Sequence, residues 1–367
     1  MKKLHIHLQT ATKIDNIINV IYLKMDYRKG DRPLANIHIP VSILNLAPIR
    51  YGQKPEDAIA DMVHLAQVAE KLGYIRYWIA EHHNTSTLVS SATSILIKHT
   101  LEQTKKIRVG SGGIMLPNHS PLVVAEQFGT MATLYPDRLD LGLGRAPGTD
   151  QLTASALRRS YTEESVYSFP RDVEQLLAYF GPEEEQGRVK AHLAIGKNVP
   201  IYILGSSTYS AYLAAELGLP YAFASHFAPA YMEEAISIYR REFKPSKHLE
   251  SPYMIVCLNV IATETDEEAK LEATTQQQFF LNVVRGQQNP LMPPVENIEE
   301  MLTPHEQLVL SSKLGMTFLG SKETVRKQLI EFQEKYHVDE IMAVTYIYDK
   351  EKQFRSYEIF KEIVDGK

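Results

Sequence analysis

Residues 108–144 read RVGSGGIMLPNHSPLVVAEQFGTMATLYPDRLDLGLG, and they decide the fold. Arg108 to Leu116 is an apolar run of strand length, broken at Pro117. Pro121 then opens a helix, because a proline at the first helical position has its φ already set and gives up no needed N–H. Leu139 to Gly144 is a second apolar run, so strand, helix and strand follow in order. Upstream the unit recurs. Ile39 to Leu46 reads as a strand leading into Ala47-Pro48, and Pro55 opens a helix. Ile59, Met62, Val63, Ala66, Val68 and Ala69 lie near helical spacing until Gly73 stops it. Tyr77 to Ala80 is the next strand and about Ser91 to Leu101 the next helix. Downstream, strands are expected at Pro200 to Leu204, Tyr221 to Ser225, Tyr253 to Ala262 and Glu340 to Tyr346.

Eight runs that are apolar on both faces and alternate with helices describe a parallel sheet covered on every side. Roughly 250 residues suffice for an eightfold barrel, so the reading is a TIM (β/α)8 barrel over residues 39–367 with insertions at 146–170 after strand four and 285–315 after strand seven. A doubly wound open sheet would call for a glycine fingerprint after the first strand, where Ala47-Pro48 stands instead. The insertions emerge at the catalytic face of such a barrel, and the second, with Gln287-Gln288-Asn289-Pro290 and Pro293-Pro294, is expected to be mobile. Residues 1–38 read as an N-terminal extension of uncertain origin.

Composition narrows the class of function. The 367 residues are 44% hydrophobic and 23% charged with a net charge of -5 and no charge blocks. Such a surface offers no electrostatic footprint for nucleic acid or an anionic membrane. No stretch approaches the ~18 apolar residues of a membrane span and no signal-peptide pattern opens the chain, so the expected compartment is the cytosol. Cys257, the single cysteine, lies in an apolar run and reads as a small buried hydrophobe.

Barrel enzymes place chemistry at the carboxyl ends of their strands. Those ends supply Ala47 and Pro48, His82 and His83, Gly112 and Gly113, Gly144 and Arg145, Ser206 and Ser207, and His226. Glycines admit a flat ring system closely, and one arginine offers a planar fork matched to a phosphate. Serines 206, 207 and 210 would also suit the cap of a helix beginning near Thr208, and a helix N-terminus is itself an anion site. A flavin mononucleotide is one ligand of that description. His83 is expected to be structural, since neighbouring strand residues face opposite sides. No metal is expected, because three or four ligands must converge and His226 lies outside any ligand pattern.

The ordered motifs Glu81-His82-His83, Val109 to Pro117, Asp140 to Arg145 and Gly205-Ser206-Ser207 resemble the bacterial luciferase-like flavin-dependent monooxygenases, over about Ile39 to Asp365. Asn45-Leu46-Ala47-Pro48 and the run Gly144 to Thr149 look closest to the uncharacterised, non-luminescent branch of that family. The resemblance implies a barrel that takes reduced FMN from a separate flavin reductase and uses oxygen to oxidise a small organic substrate, commonly as a homodimer. Residue by residue it implies that His82 is the catalytic base and that Ala47 belongs to the flavin site. Arg145, Ser207 and Ser210 would hold the phosphate, with Ser206 contributing through its backbone. Gly112 and Gly113 would share a cis peptide beneath the flavin ring, with Met115 and Phe223 as further pocket candidates. Gly144 stands where the light-emitting proteins carry a reactive cysteine and Ser206 where they carry a glutamate, and the 285–315 loop does not match their mobile loop, so neither luminescence nor substrate transfers. Two other functions fit the same residues: a deazaflavin-dependent hydride-transfer oxidoreductase, and an FMN-binding protein without turnover.

Overall fold

A computed structural model of the chain describes residues 39–157 and 168–367, all within the compact unit Asn36–Lys367. The extension expected at 1–38 and part of the first insertion, residues 158–167, lie outside the described residues. The strands are β1 (Val41–Asn45), β2 (Arg76–Ile79), β3 (Arg108–Met115), β4 (Leu139–Gly144), β5 (Ile201–Gly205), β6 (Tyr221–Phe223), β7 (Met254–Thr263), β8 (Thr317–Ser321) and β9 (Glu340–Val344). Seven consecutive strands pair in parallel from β1 to β7, β7 pairs with β9, and β9 returns to β1. The result is a closed parallel barrel of eight strands, the TIM-type architecture expected.

β8 lies outside that ring, and the sequence reading missed it. It pairs only with the second half of β7, from Asn259 to Thr263, overlapping the segment that β9 occupies at Asn259 alone. TFLGS is short, alternates buried and half-buried positions, and sits between two helices, so it lacks the continuous apolar run by which the others were recognised.

The helices that clothe the barrel are α1 (Pro55–Leu72), α2 (Thr93–Gln103), α3 (Pro121–Leu134), α4 (Gln151–Leu157), α5 (Phe169–Phe180), α6 (Thr208–Leu217), α7 (Met232–Glu242), α8 (Asp266–Arg285), α9 (Pro304–Lys313), α10 (Lys322–Tyr336) and α11 (Lys350–Val364). α1 starts at Pro55 and stops at Gly73, whose φ of 80° only a residue without a Cβ adopts freely. None of the helices is long and apolar enough to cross a membrane, among the described residues.

The segment expected to be mobile is tied to its surroundings by several hydrogen bonds. Tyr51 and Leu291 bond through their backbones, Thr275 donates to Met292 O at 3.0 Å, Gln278 to Pro293 O at 2.8 Å, and the Leu291 side chain is buried. Its prolines remove donors, and helix α8 supplies the missing partners from its side chains.

The lower end of the barrel, where the strands begin, holds a buried polar layer. Arg76 opens β2 and bonds Asp140 at 2.8 Å and Glu340 at 2.8 Å, while Arg108 reaches the other oxygen of Asp140. Ser42 and Tyr253 donate to Glu340. Each buried carboxylate is thus paired and hydrogen-bonded, as burial of a charge demands. Trp78 lies one layer higher and donates its indole N–H to Asp140 at 3.1 Å, so the polar layer fixes the first ring of the chamber above it.

Candidate active site

A cavity of about 660 Å³ opens at the carboxyl ends of the strands, within the size range of small-molecule sites. Its floor is Leu44 of β1, Trp78 of β2, and Gly112 and Gly113 of β3. There β3 slips register against β4 between Ser111 and Ile114, and the Gly112–Gly113 peptide is cis. A Cβ on Gly112 would lie 2.5 Å from Leu44 Cδ1, and one on Gly113 2.5 Å from Leu204 Cδ1. The bare backbone is therefore required for the floor to keep its present packing. Met115 and Phe223 also line the cavity, as does Cys257, whose thiol burial pushes well above its usual pKa. With Phe279, Phe280, Met342 and Tyr346 it forms an apolar back wall.

At one end stand Arg145, Ser206, Ser207 and Ser210. The guanidinium carbon of Arg145 lies over the Tyr209 ring, 4.1 Å from its centroid, and pairs with no carboxylate among the described residues. Ser207 caps α6 by position, in extended conformation, yet its side chain makes no capping bond. The first-turn N–H groups of α6 therefore keep their pull on an anion. The Ser210 hydroxyl donates to Ser207 O at 2.9 Å and also meets Tyr221 Oη, so it braces the turn at the edge of the cavity.

Ala47 stands apart from these residues. It is not part of the cavity wall, which its neighbours Leu44 and Leu46 form. Ala47 adopts a φ of 52°, donates to Asn45 Oδ1 at 2.6 Å and accepts from Val89 N. This local hydrogen bonding turns it into the loop packing and leaves it buried.

Beyond β2 the chain is no longer a strand. Ala80–Asn84 runs irregularly, so the alternation that would separate His82 from His83 does not apply, and both rings line the cavity. His82 and the buried His226 each keep an enclosed Nδ1 with no hydrogen-bond partner. Burial lowers His82 to a pKa of about 4, with Glu81 opposing. Burial and the neighbouring His82 lower His226 to about 3. Both values lie well below the ~6.5 of an unperturbed histidine, so neither ring carries a charge at neutral pH.

His83 points its Nε2 at Glu81 Oε1, 2.8 Å away, and His119, which the sequence reading did not single out, reaches the same oxygen at 2.8 Å. Burial alone would raise the Glu81 carboxyl, but hydrogen bonds from His119, His83 and the Met115 N–H hold it at about 2. His119 follows β3 by a single turn, and only the spatial adjacency of β2 and β3 brings it to Glu81. At the rim, Gln288 crosses from the segment after α8 to the Asn84 carbonyl and the Ser86 N–H.

The model of one protein family, described as luciferase-like monooxygenase, matches residues 39–339. A Bacillus subtilis relative, "Uncharacterized protein YddN", is 50% identical over 89% of this chain and 96% of its own. An Escherichia coli K12 protein, "Luciferase-like monooxygenase", is 46% identical over 89% of this chain and 97% of its own. The solved structure of apo-MsnO8 superposes with a TM-score of 0.82 at 35% identity, covering 89% of this chain and 98% of that one. The fold alone is shared, at TM-scores of 0.65 and 0.64, with an FMN complex of a type II Baeyer-Villiger monooxygenase from Pseudomonas putida (16% identity, 89% and 98% of the two chains) and an F420-dependent secondary alcohol dehydrogenase (15% identity, 89% and 98%).

Proposed function

Because the chain belongs to the luciferase-like monooxygenase family, we propose that it is an FMN-dependent monooxygenase of a small organic substrate, receiving reduced FMN from a separate reductase. One observation carries the choice of FMN: an unpaired arginine, two half-exposed serines and an uncapped helix N-terminus converge at one end of a cavity whose floor is glycine backbone. This set suits a flat ring ending in a phosphate.

Arg145, held in orientation by Tyr209, would bind two phosphate oxygens through its fork. Ser206 and Ser207 would donate from backbone and hydroxyl, and the α6 N–H groups would complete the cradle. Gly112 and Gly113 would let the ring lie against the floor above Trp78. When bound, reduced FMN supplies the electrons for activating oxygen. His82, whose ring lines the cavity, would act as a neutral imidazole toward a proton or a polar oxygen at the reacting centre. The back wall of Phe279, Phe280 and Tyr346 would hold the apolar part of the substrate and exclude water from it.

Supplying the purified protein with chemically reduced FMN and a panel of small apolar substrates tests this reading. Substrate-dependent oxygen uptake that exceeds hydrogen peroxide release is the expected result. Peroxide equal to oxygen uptake with every substrate would argue for a flavin-binding protein without turnover. Tight binding of a deazaflavin with no response to FMN would argue for hydride transfer instead.

A further inference from the structure

From the convergence of Glu81, His83 and His119 beside the cavity, we propose a binding site for a divalent transition-metal ion of the zinc class, which would clasp the loop after β2 to the turn after β3. Both imidazole Nε2 atoms lie 2.8 Å from the single oxygen Glu81 Oε1, and the three donor atoms all fall within 4.8 Å of one another. In a tetrahedral zinc site with bonds of ~2.0–2.1 Å, ligand atoms are separated by about 3.3 Å. To seat an ion, the two histidine–carboxylate distances would open by about 0.5 Å and the two histidine nitrogens, within 4.8 Å of each other, would draw together by up to about 1.5 Å.

The donor chemistry favours an ion over a simple contact. Two histidines and a carboxylate form the three-ligand set of an open zinc or ferrous site, with further positions left for water. Histidine ligates as the neutral imidazole, so the ligating set would bring one negative charge to a dication. The second carboxylate oxygen, Oε2, accepts the Met115 N–H at 3.2 Å. Such an outer hydrogen bond fixes the orientation of a metal-binding carboxylate. Access follows from exposure: Glu81 is buried, whereas the His119 side chain keeps 31% of its surface in solvent, so an ion could enter from that side. Only His83 of the three lines the cavity, which places the ion behind its wall, away from the phosphate end. The inference stands independently of the flavin assignment.

Zinc chloride titrated calorimetrically into tag-free, EDTA-treated full-length protein is the test, with cobalt chloride as a spectroscopic probe of coordination. The expected result is one ion per chain, a rise in Tm on binding, and tetrahedral-type cobalt absorption. Affinity should fall about tenfold or more in both Glu81→Gln and His119→Ala. His5 and His7 near the N-terminus offer another place for zinc. Both variants retain them, so the difference from the parent isolates the cluster. Should Glu81→Gln fail to fold, His119→Ala still decides, and its FMN affinity should match the parent's. Absence of stoichiometric uptake, or uptake unchanged in His119→Ala, overturns the proposal, leaving the cluster as two imidazole donors on one carboxylate.

Discussion

An imidazole enclosed on its Nδ1 side, as in His82, binds a proton only well into the acid range, because burial withholds the water that would solvate the cation. The unfolded chain binds that proton near ~6.5 and the folded chain near about 4. Between these values the unfolded state holds more protons, so stability falls as pH drops through the window and does not change from this source above it. Replacing His82 with Gln should flatten the acid limb of a Tm-against-pH curve by on the order of 3 kcal/mol, and an unchanged limb would show that burial does not set this group. Glu81 acts in a lower window: its lowered pKa contributes stability above about 4.5 that is lost as pH falls through about 2, so the two groups separate on the pH axis. Under the proposed chemistry, His82→Ala should cut turnover roughly a hundredfold while leaving FMN affinity nearly intact. A variant with parental turnover would make this histidine structural. Sequence placed His82 at a strand end correctly but could not supply its proton affinity, which depends on what encloses the ring. It also could not pair His119 with Glu81, since these residues meet only after β2 and β3 align.

The α6 N-terminus lets one substitution oppose two effects within a single element. Ser207 stands at the N-cap without a capping bond, so an aspartate there would accept from the first-turn N–H groups and interact favourably with the helix dipole. Ser207→Asp should therefore stabilise the protein by about 0.5–1 kcal/mol yet weaken FMN about tenfold or more through repulsion of its phosphate. A higher Tm with undiminished FMN affinity would remove the helix terminus from the phosphate site. Elements with long, evenly apolar runs were readable from sequence to within two residues, β4 at Leu139–Gly144 without error. β8 escaped because its five residues alternate and pair with the overhang of another strand. The prolines of the segment after α8 signal a loop, and the side chains that bond it, Thr274, Thr275 and Gln278, belong to a helix legible in the sequence only by its apolar face.

Across the whole molecule, the two ends of the barrel divide the work of stability and binding. The lower end carries Arg76 between Asp140 and Glu340, and removing the cation would leave the buried Glu340 with no ion-pair partner and Asp140 with Arg108 alone. Arg76→Met should cost about 3–5 kcal/mol, read as a lower midpoint in urea. A neutral result would mean that these carboxylates take up protons at little cost. The layer was hidden in the sequence because a charged residue at the start of a strand looks like a boundary rather than part of a buried network. The upper end was more legible, since Arg145, His82, the glycine pair and Ser206 and Ser207 all come together around one cavity. Ala47 lies outside the cavity wall, held by local hydrogen bonds, whereas Ser210 lines the cavity while bonded to its own turn. The central claim is that this cavity recognises a flavin by its terminal phosphate, and calorimetric titration with FMN and riboflavin tests it most directly. FMN should bind the parent protein more tightly by about 2 kcal/mol or more, and Arg145→Ala should erase most of that difference while riboflavin affinity holds. Equal affinities for the two ligands in the parent protein would contradict the account.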